Sequence, residues 1–163
     1  MVVATDCKNV YFCHDMQEIE RKYLLVDDSF KGYATACKVI KQGYLSLSER
    51  CTVRIRRSAD KAYMTVKGQN TEGRIAHFEW EKEIDLQDFE ALLPLCEGII
   101  IDKERYIVPL GELKVEIDVF HGVHEGLVLA EIELPREDYQ VTLPPFIGKE
   151  VTDDIRYYNS YLA

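Results

Sequence analysis

Several features that would mark a secreted, membrane-bound or metal-thiolate protein are missing from this chain. Its five cysteines (Cys7, Cys13, Cys37, Cys51 and Cys96) are odd in number and scattered, with no Cys-x-x-Cys pair. That argues against a disulfide framework or a zinc site and for a reducing cytoplasm. No apolar run approaches the ~20 residues of a membrane-spanning helix. The opening "MVVATDCKNVYFCHD" lacks the basic start and continuous apolar stretch of a secretory signal. Met16 follows it at once, so residues 1–15 read as an N-terminal extension, with Cys13-His14 in a solvated tail, and 16–163 as a single domain. Pro/Gly-rich linkers, low-complexity stretches and internal repeats are absent too. The four histidines have no paired spacing and are assigned no role. Positive charge is also short: the net charge of -9 excludes a general nucleic-acid or acidic-membrane binder, because phosphate attraction needs a positive outer field. A locally basic pocket inside an acidic protein is still compatible with that balance.

What is present is an ordinary globular composition, with 47% apolar and 30% charged residues in 163, enough to bury a core. After "EIERKYLL", the segment "VDDSFKGYATAC" predicts a short helix or loop starting near Asp27 or Asp28. Strand-like runs follow at Val39–Leu47, Cys51–Arg57, Ala62–Lys67 and His77–Ile84, separated by polar or glycine-containing turns. "DLQDFEALLPLC" switches period: Leu86, Phe89, Leu92 and Leu93 share a helical face behind Asp85 as cap. Strands resume at Ile99–Val108, Leu113–Phe120 and Leu127–Leu134. A helical turn at "PREDYQ" and a C-terminal helix capped by Thr152 complete the prediction. The short connections suit an antiparallel order.

The strands share an uncommon pattern. Arg54/Arg56 alternates with Val53/Ile55, Thr65/Lys67 with Met64/Val66, and Glu79/Glu81/Glu83 with Phe78 and Trp80. Glu116/Asp118 alternates with Val115/Ile117, Glu131/Glu133 with Ala130/Ile132, and Glu18/Glu20/Lys22 and Lys103/Arg105 extend the series. One charged face is what any half-exposed sheet shows. Here most strands carry charges of one sign at i and i+2, which repel unless something lies between them. Closing the sheet with the charged face inward and the apolar face under helices supplies that something. The fold predicted is therefore α+β, mainly β: a closed eight-stranded antiparallel barrel whose interior admits side chains or one small ligand.

The expected lining has eight acids (Glu18, Glu20, Glu79, Glu81, Glu116, Asp118, Glu131, Glu133) against six bases (Lys22, Arg54, Arg56, Lys67, Lys103, Arg105). Two excess buried negatives are costly without cations. Carboxylate oxygens suit hard divalent ions such as Mg²⁺ or Mn²⁺. With two such ions the interior turns positive, and a linear triphosphate then fits both the charge and an elongated tunnel.

The same residues carry a family resemblance. "EIERK" resembles the E-x-E-x-K signature of the CYTH superfamily, the triphosphate tunnel metalloenzymes. The likeness runs in order through Arg54/Arg56, Lys67, Glu79/Glu81, Lys103/Arg105, "EIDVF", "AEIE" and "VTDDIRYYN". It covers the chain from Met16 onward and is greatest for the short bacterial branch, which includes inorganic triphosphatases. The resemblance implies that Glu18, Glu20, Asp118, Glu131 and Glu133 hold Mg²⁺ or Mn²⁺, and that Lys22, Arg54, Arg56, Lys67 and Arg105 grip phosphate. Lys103 is assigned to positioning the attacking water. Glu79 and Glu81 either bind a second metal or brace the bases, and Glu83 and Glu116 are structural. Related sequences often have a basic residue in the last helix where this chain has Ile155, and Arg156 is the expected substitute. Tyr44 is either a gate at the tunnel mouth or a packing residue.

The implied reaction is in-line attack of activated water on a terminal phosphoryl group, with no Ser or Cys nucleophile. Rivals are cyclisation of ATP, a thiamine or nucleoside triphosphatase, and a non-catalytic polyphosphate-binding module. The implied partner is a small triphosphate, with no nucleic acid and no membrane, in a monomer or homodimer.

Overall fold

The computed structural model describes residues 19–48, 50–68 and 79–163. The N-terminal extension, Glu18 and Phe78 lie outside the described residues. The described residues form nine strands: β1 (Ile19–Leu25), β2 (Ala36–Ser48), β3 (Cys51–Ser58), β4 (Lys61–Gly68), β5 (Glu79–Ile84), β6 (Glu97–Leu110), β7 (Leu113–Phe120), β8 (Val128–Leu134) and β9 (Ile147–Glu150). They form one antiparallel sheet in the order β5-β4-β3-β2-β6-β7-β8-β1-β9. The sheet curls until β1 to β8 all contribute side chains to one cavity, which gives the predicted tunnel architecture. Its ladder has, among the described residues, nine strands where eight were expected. Among the described residues, its two edges, β5 and β9, are not hydrogen-bonded to each other.

Alternation along each strand sorts the two faces. Behind Arg54 and Arg56, Ile55 is wholly buried with Ala62 and Phe89, the last from helix α1 (Leu86–Leu92). Burying side chains of this size stabilises by roughly 1.5–3 kcal/mol each. Asp85 does occupy the N-cap of α1, but its side chain makes no capping bond, and Leu86 stays exposed. Pro94 lacks a backbone N–H, and the chain tightens there into a 3₁₀ turn (Leu93–Leu95).

Behind the charged faces of β1, β6, β7 and β8 lies a second outer core of Tyr23, Val108, Val115, Ile117, Ala130 and Ile132. Helices were expected to cover it. Instead it is sealed by Phe30, from a 3₁₀ turn (Ser29–Gly32), and by Phe146, whose rings meet edge-on at 6.3 Å. Val53 is half-buried on the outer face, whereas Trp80 points outward but is 44% exposed, with no helix above it among the described residues. The "PREDYQ" segment is a turn closed by Tyr139 N–H on the Arg136 carbonyl, not a helical element.

Inside the barrel the charged rows end in apolar residues. Ile101, Phe120 and Leu129 continue the inward rows of Lys103, Asp118 and Glu131, and pack against Val151, Tyr157, Leu162 and Ala163. The C-terminal segment therefore fills one end of the interior. It is not one Thr152-capped helix: a 3₁₀ turn (Ile155–Tyr157) precedes a single α-helical turn, α2 (Asn159–Leu162). Asp154 caps the first of these, and the Thr152 hydroxyl accepts from Lys22 N–H and donates to Glu150. Gly98, at φ 69°, lets β6 approach the chain end, where a Cβ would collide with the Ala163 carbonyl that accepts from Ile99 N–H.

Candidate active site

The curled sheet encloses a cavity of about 220 Å³. Six carboxylates (Glu20, Glu79, Glu81, Glu116, Glu131, Glu133) and six bases (Arg54, Arg56, Lys67, Lys103, Arg105, Lys114) line it, together with Ile40, Gln42 and Asn159. The structure thus brings together ten of the residues predicted for the site from its described part. Lys22 and Asp118 are buried behind the lining. Arg156 is not at the cavity: it is exposed and wraps the Asp154 carboxylate, which its hydrogen bonds pull down to about 2. Tyr44 is buried and outside the lining, a packing position and not a mouth; burial raises its phenol above the ordinary range.

One wall of the cavity, from β1, β6, β7 and β8, is a closed ionic network. Lys103 Nζ donates to Asp118 Oδ2 at 2.6 Å and to Asn159 Oδ1 at 2.9 Å. Arg105 forks onto both oxygens of Asp118 at 2.6 Å, reaches Glu131 at 2.9 Å and also bonds Glu116. Lys22 bridges Glu131 at 2.5 Å and Glu20 at 2.7 Å. Burial alone pushes each of these groups towards neutrality. For Lys22 and Arg105 the facing carboxylates outweigh it and raise their pKa values. For Glu131 burial is outweighed by Lys22, Arg105 and Lys103, which hold it well below the carboxylate range. Lys103 goes the other way: desolvation dominates, opposed by Asp118, and its ammonium is lowered.

The facing wall, from β3, β4 and β5, is looser. Arg54, Thr65 and Glu81 are direct partners across three strands, and Lys67 faces Glu79. Thr65 donates to Glu81 at 2.6 Å and accepts from Arg54 Nη2 at 3.2 Å, while Arg56 Nη2 lies 3.3 Å from the same Glu81 oxygen. The Nε–H groups of Arg54 and Arg56 are buried and have no partner among the described residues. Burial, with Arg54 alongside, lowers Arg56. Unpaired buried donors cost free energy that an incoming acceptor recovers.

The match to a family model settles the lineage: residues 16–160 match the CYTH domain. The chain belongs to the CYTH family. This CYTH chain is 42% identical over 148 residues to an inorganic triphosphatase of Acetivibrio thermocellus, covering 90% of this chain and 93% of that protein. It is 38% identical over 153 residues to an inorganic triphosphatase of Nitrosomonas europaea, covering 91% and 97%. A crystal structure of an inorganic triphosphatase superposes with a TM-score of 0.69 at 35% identity, covering 90% of this chain and 97% of the other. That agreement extends to the mainly β architecture predicted from the sequence.

Within the CYTH site, sequence reasoning missed Lys114, Gln42 and Asn159. The alternation of Glu116 and Asp118 continues back by one step to Lys114, whose Nζ donates to Glu116 at 2.5 Å. Nothing local marks Gln42 or Asn159; they meet only because the C-terminal turn enters the barrel, where Gln42 donates to Asn159 at 3.4 Å. Among the described residues, no three His, Cys, Asp or Glu side chains are arranged to hold a metal ion. The donor chemistry nonetheless fits a hard cation: among the described residues, the lining offers carboxylates and neither His nor Cys. Glu20 and Glu133 face each other directly across β1 and β8, a like-charge pair that favours a cation between them.

Proposed function

We propose that this protein is a divalent-metal-dependent triphosphatase acting on inorganic triphosphate. The observation that carries the reading is the pairing of a wall whose Glu20 and Glu133 face each other beside a buried ionic network with a basic wall whose buried Arg54 and Arg56 Nε–H groups lack acceptors among the described residues. Phosphate oxygens meet that need, and Arg54, Arg56, Lys67 and Lys114 line the cavity where they would bind. Glu20 and Glu133, with Glu18 of the same signature and Glu131 alongside, are assigned to Mg²⁺ or Mn²⁺. A cation bound there supplies charge neutralisation at the phosphate oxygens.

Lys103 is assigned to orienting the attacking water. Its Nζ is held by Asp118 and Asn159, which fixes the direction in which a further N–H can orient a water. In this reading Asp118 anchors Lys103 and Arg105, and Glu79 and Glu81 brace Lys67 and the two arginines. Arg156 is left out of the phosphate ligands because Asp154 occupies it. Residues 1–15 are an extension to the functional domain. The free thiols of Cys37, Cys51 and Cys96 suit a reducing cytoplasm.

Phosphate release from tripolyphosphate, ATP and thiamine triphosphate, measured side by side, tests the proposal. Tripolyphosphate is expected to be preferred, with activity lost in excess chelator and restored by Mg²⁺ or Mn²⁺. Full hydrolysis in chelator overturns the metal assignment, and cyclic AMP from ATP as main product overturns the reaction.

A further inference from the structure

We propose that Thr65 is a positioning residue, whose hydroxyl ties Arg54 to Glu81 and so fixes the Arg54 guanidinium of the basic wall; the inference rests on the triphosphatase reading. Thr65 is wholly buried, and its oxygen uses both its capacities, donating to Glu81 and accepting from Arg54. Arg54 Nη2 forms an ion pair with Glu81 Oε2 at 3.6 Å, too long for a good hydrogen bond, so the hydroxyl supplies the hydrogen-bonded link between them. Glu81 in turn receives Arg56. The tether grips Arg54 at its far end and leaves Nε–H without an acceptor among the described residues.

A purely structural Thr65 would be a β-branched filler of a central strand. The two roles predict opposite outcomes. Valine keeps the shape and removes the hydroxyl; serine keeps the hydroxyl and removes the methyl. If Thr65 positions Arg54, Thr65→Val raises KM for tripolyphosphate about tenfold with kcat changed less than about threefold, and Thr65→Ser restores KM. In an Arg54→Ala background, Thr65→Val adds less than about twofold, because its route of action is gone. Serine behaving as badly as valine, or full multiplication of the Thr65→Val and Arg54→Ala effects, overturns the proposal. If the valine variant does not fold, Thr65→Ala carries the same expectation.

A readout independent of turnover separates this inference from the functional reading. In ¹⁵N-arginine-labelled, ligand-free protein, the Arg54 Nη groups should rotate slowly in wild type and Thr65→Ser and average in Thr65→Val. Equal rotation in all three overturns the tether even if the enzyme is active. Slow rotation lost only in Thr65→Val supports it even if tripolyphosphate is not the substrate.

Discussion

The two walls of the cavity carry much the same kinds of side chain but handle buried charge differently. On the β1/β6/β7/β8 wall, Lys103 and Asp118 have 2% and 1% of their side chains exposed, and the buried ions Lys22, Lys103, Arg105, Asp118 and Glu131 are all paired with one another. On the β3/β4/β5 wall, Arg56 and Glu81 are 23% and 34% exposed and two arginine Nε–H groups have no partner among the described residues. A dry ionic network is rigid and costly to disturb, since removing one member strands the others. A half-wet wall with surplus donors tolerates change and has capacity left for a ligand. In the proposed reading, rigidity sits beside Lys103, which is assigned to aiming the water, and the donors without partners among the described residues sit on the wall assigned to gripping phosphate.

The largest effect should come from breaking the dry wall. Asp118→Asn leaves Lys103 and Arg105 short of a counter-charge, and we expect a loss of about 3–5 kcal/mol in denaturant unfolding together with loss of turnover. Glu81→Gln, on the wetter wall, should cost no more than about 1 kcal/mol. Equal losses would erase the distinction between the walls.

Next comes Lys103→Ala, expected to lower turnover steeply while tripolyphosphate binding, by calorimetry, changes less than about threefold. A loss in binding alone would move Lys103 from the reaction to the grip. Arg54→Ala should do the reverse, raising KM about ten- to a hundredfold, the worth of one charge-assisted contact.

The smallest effect tests a residue outside both walls. Asp154, held at about 2 by Arg156, has a depressed folded pKa. Its contribution to stability is therefore present above the ordinary carboxylate pKa of ~4 and is lost as pH falls towards the folded value. Arg156→Ala should raise the Asp154 titration, followed by carboxyl ¹³C shifts, while leaving KM unchanged. A raised KM would return Arg156 to the phosphate ligands.

Strand alternation made the barrel and its two faces legible, because a period of two puts Arg54 and Glu131 on the inner face and Ile55 and Ile132 on the outer one wherever the register falls. The cover over the outer face was less legible. Phe30 and Phe146 come from irregular segments whose apolar residues have no period to read. Strand β9, four residues long beside Pro144-Pro145, also gave no signal.

The sequence by itself determined the inward charges, the order of acids and bases along the chain and the family, since all three reside in spacing. Tertiary structure alone decided which charges are spent on each other. Lys22 and Asp118 belong to the same alternation as Glu20 and Glu116, yet the packing of the C-terminal segment buries the first two and leaves the others at the cavity. It likewise set Asn159 on Lys103 and Arg156 on Asp154. A pattern of period two gives the face a side chain takes, but its depth, solvent and partner depend on what the rest of the chain brings against it.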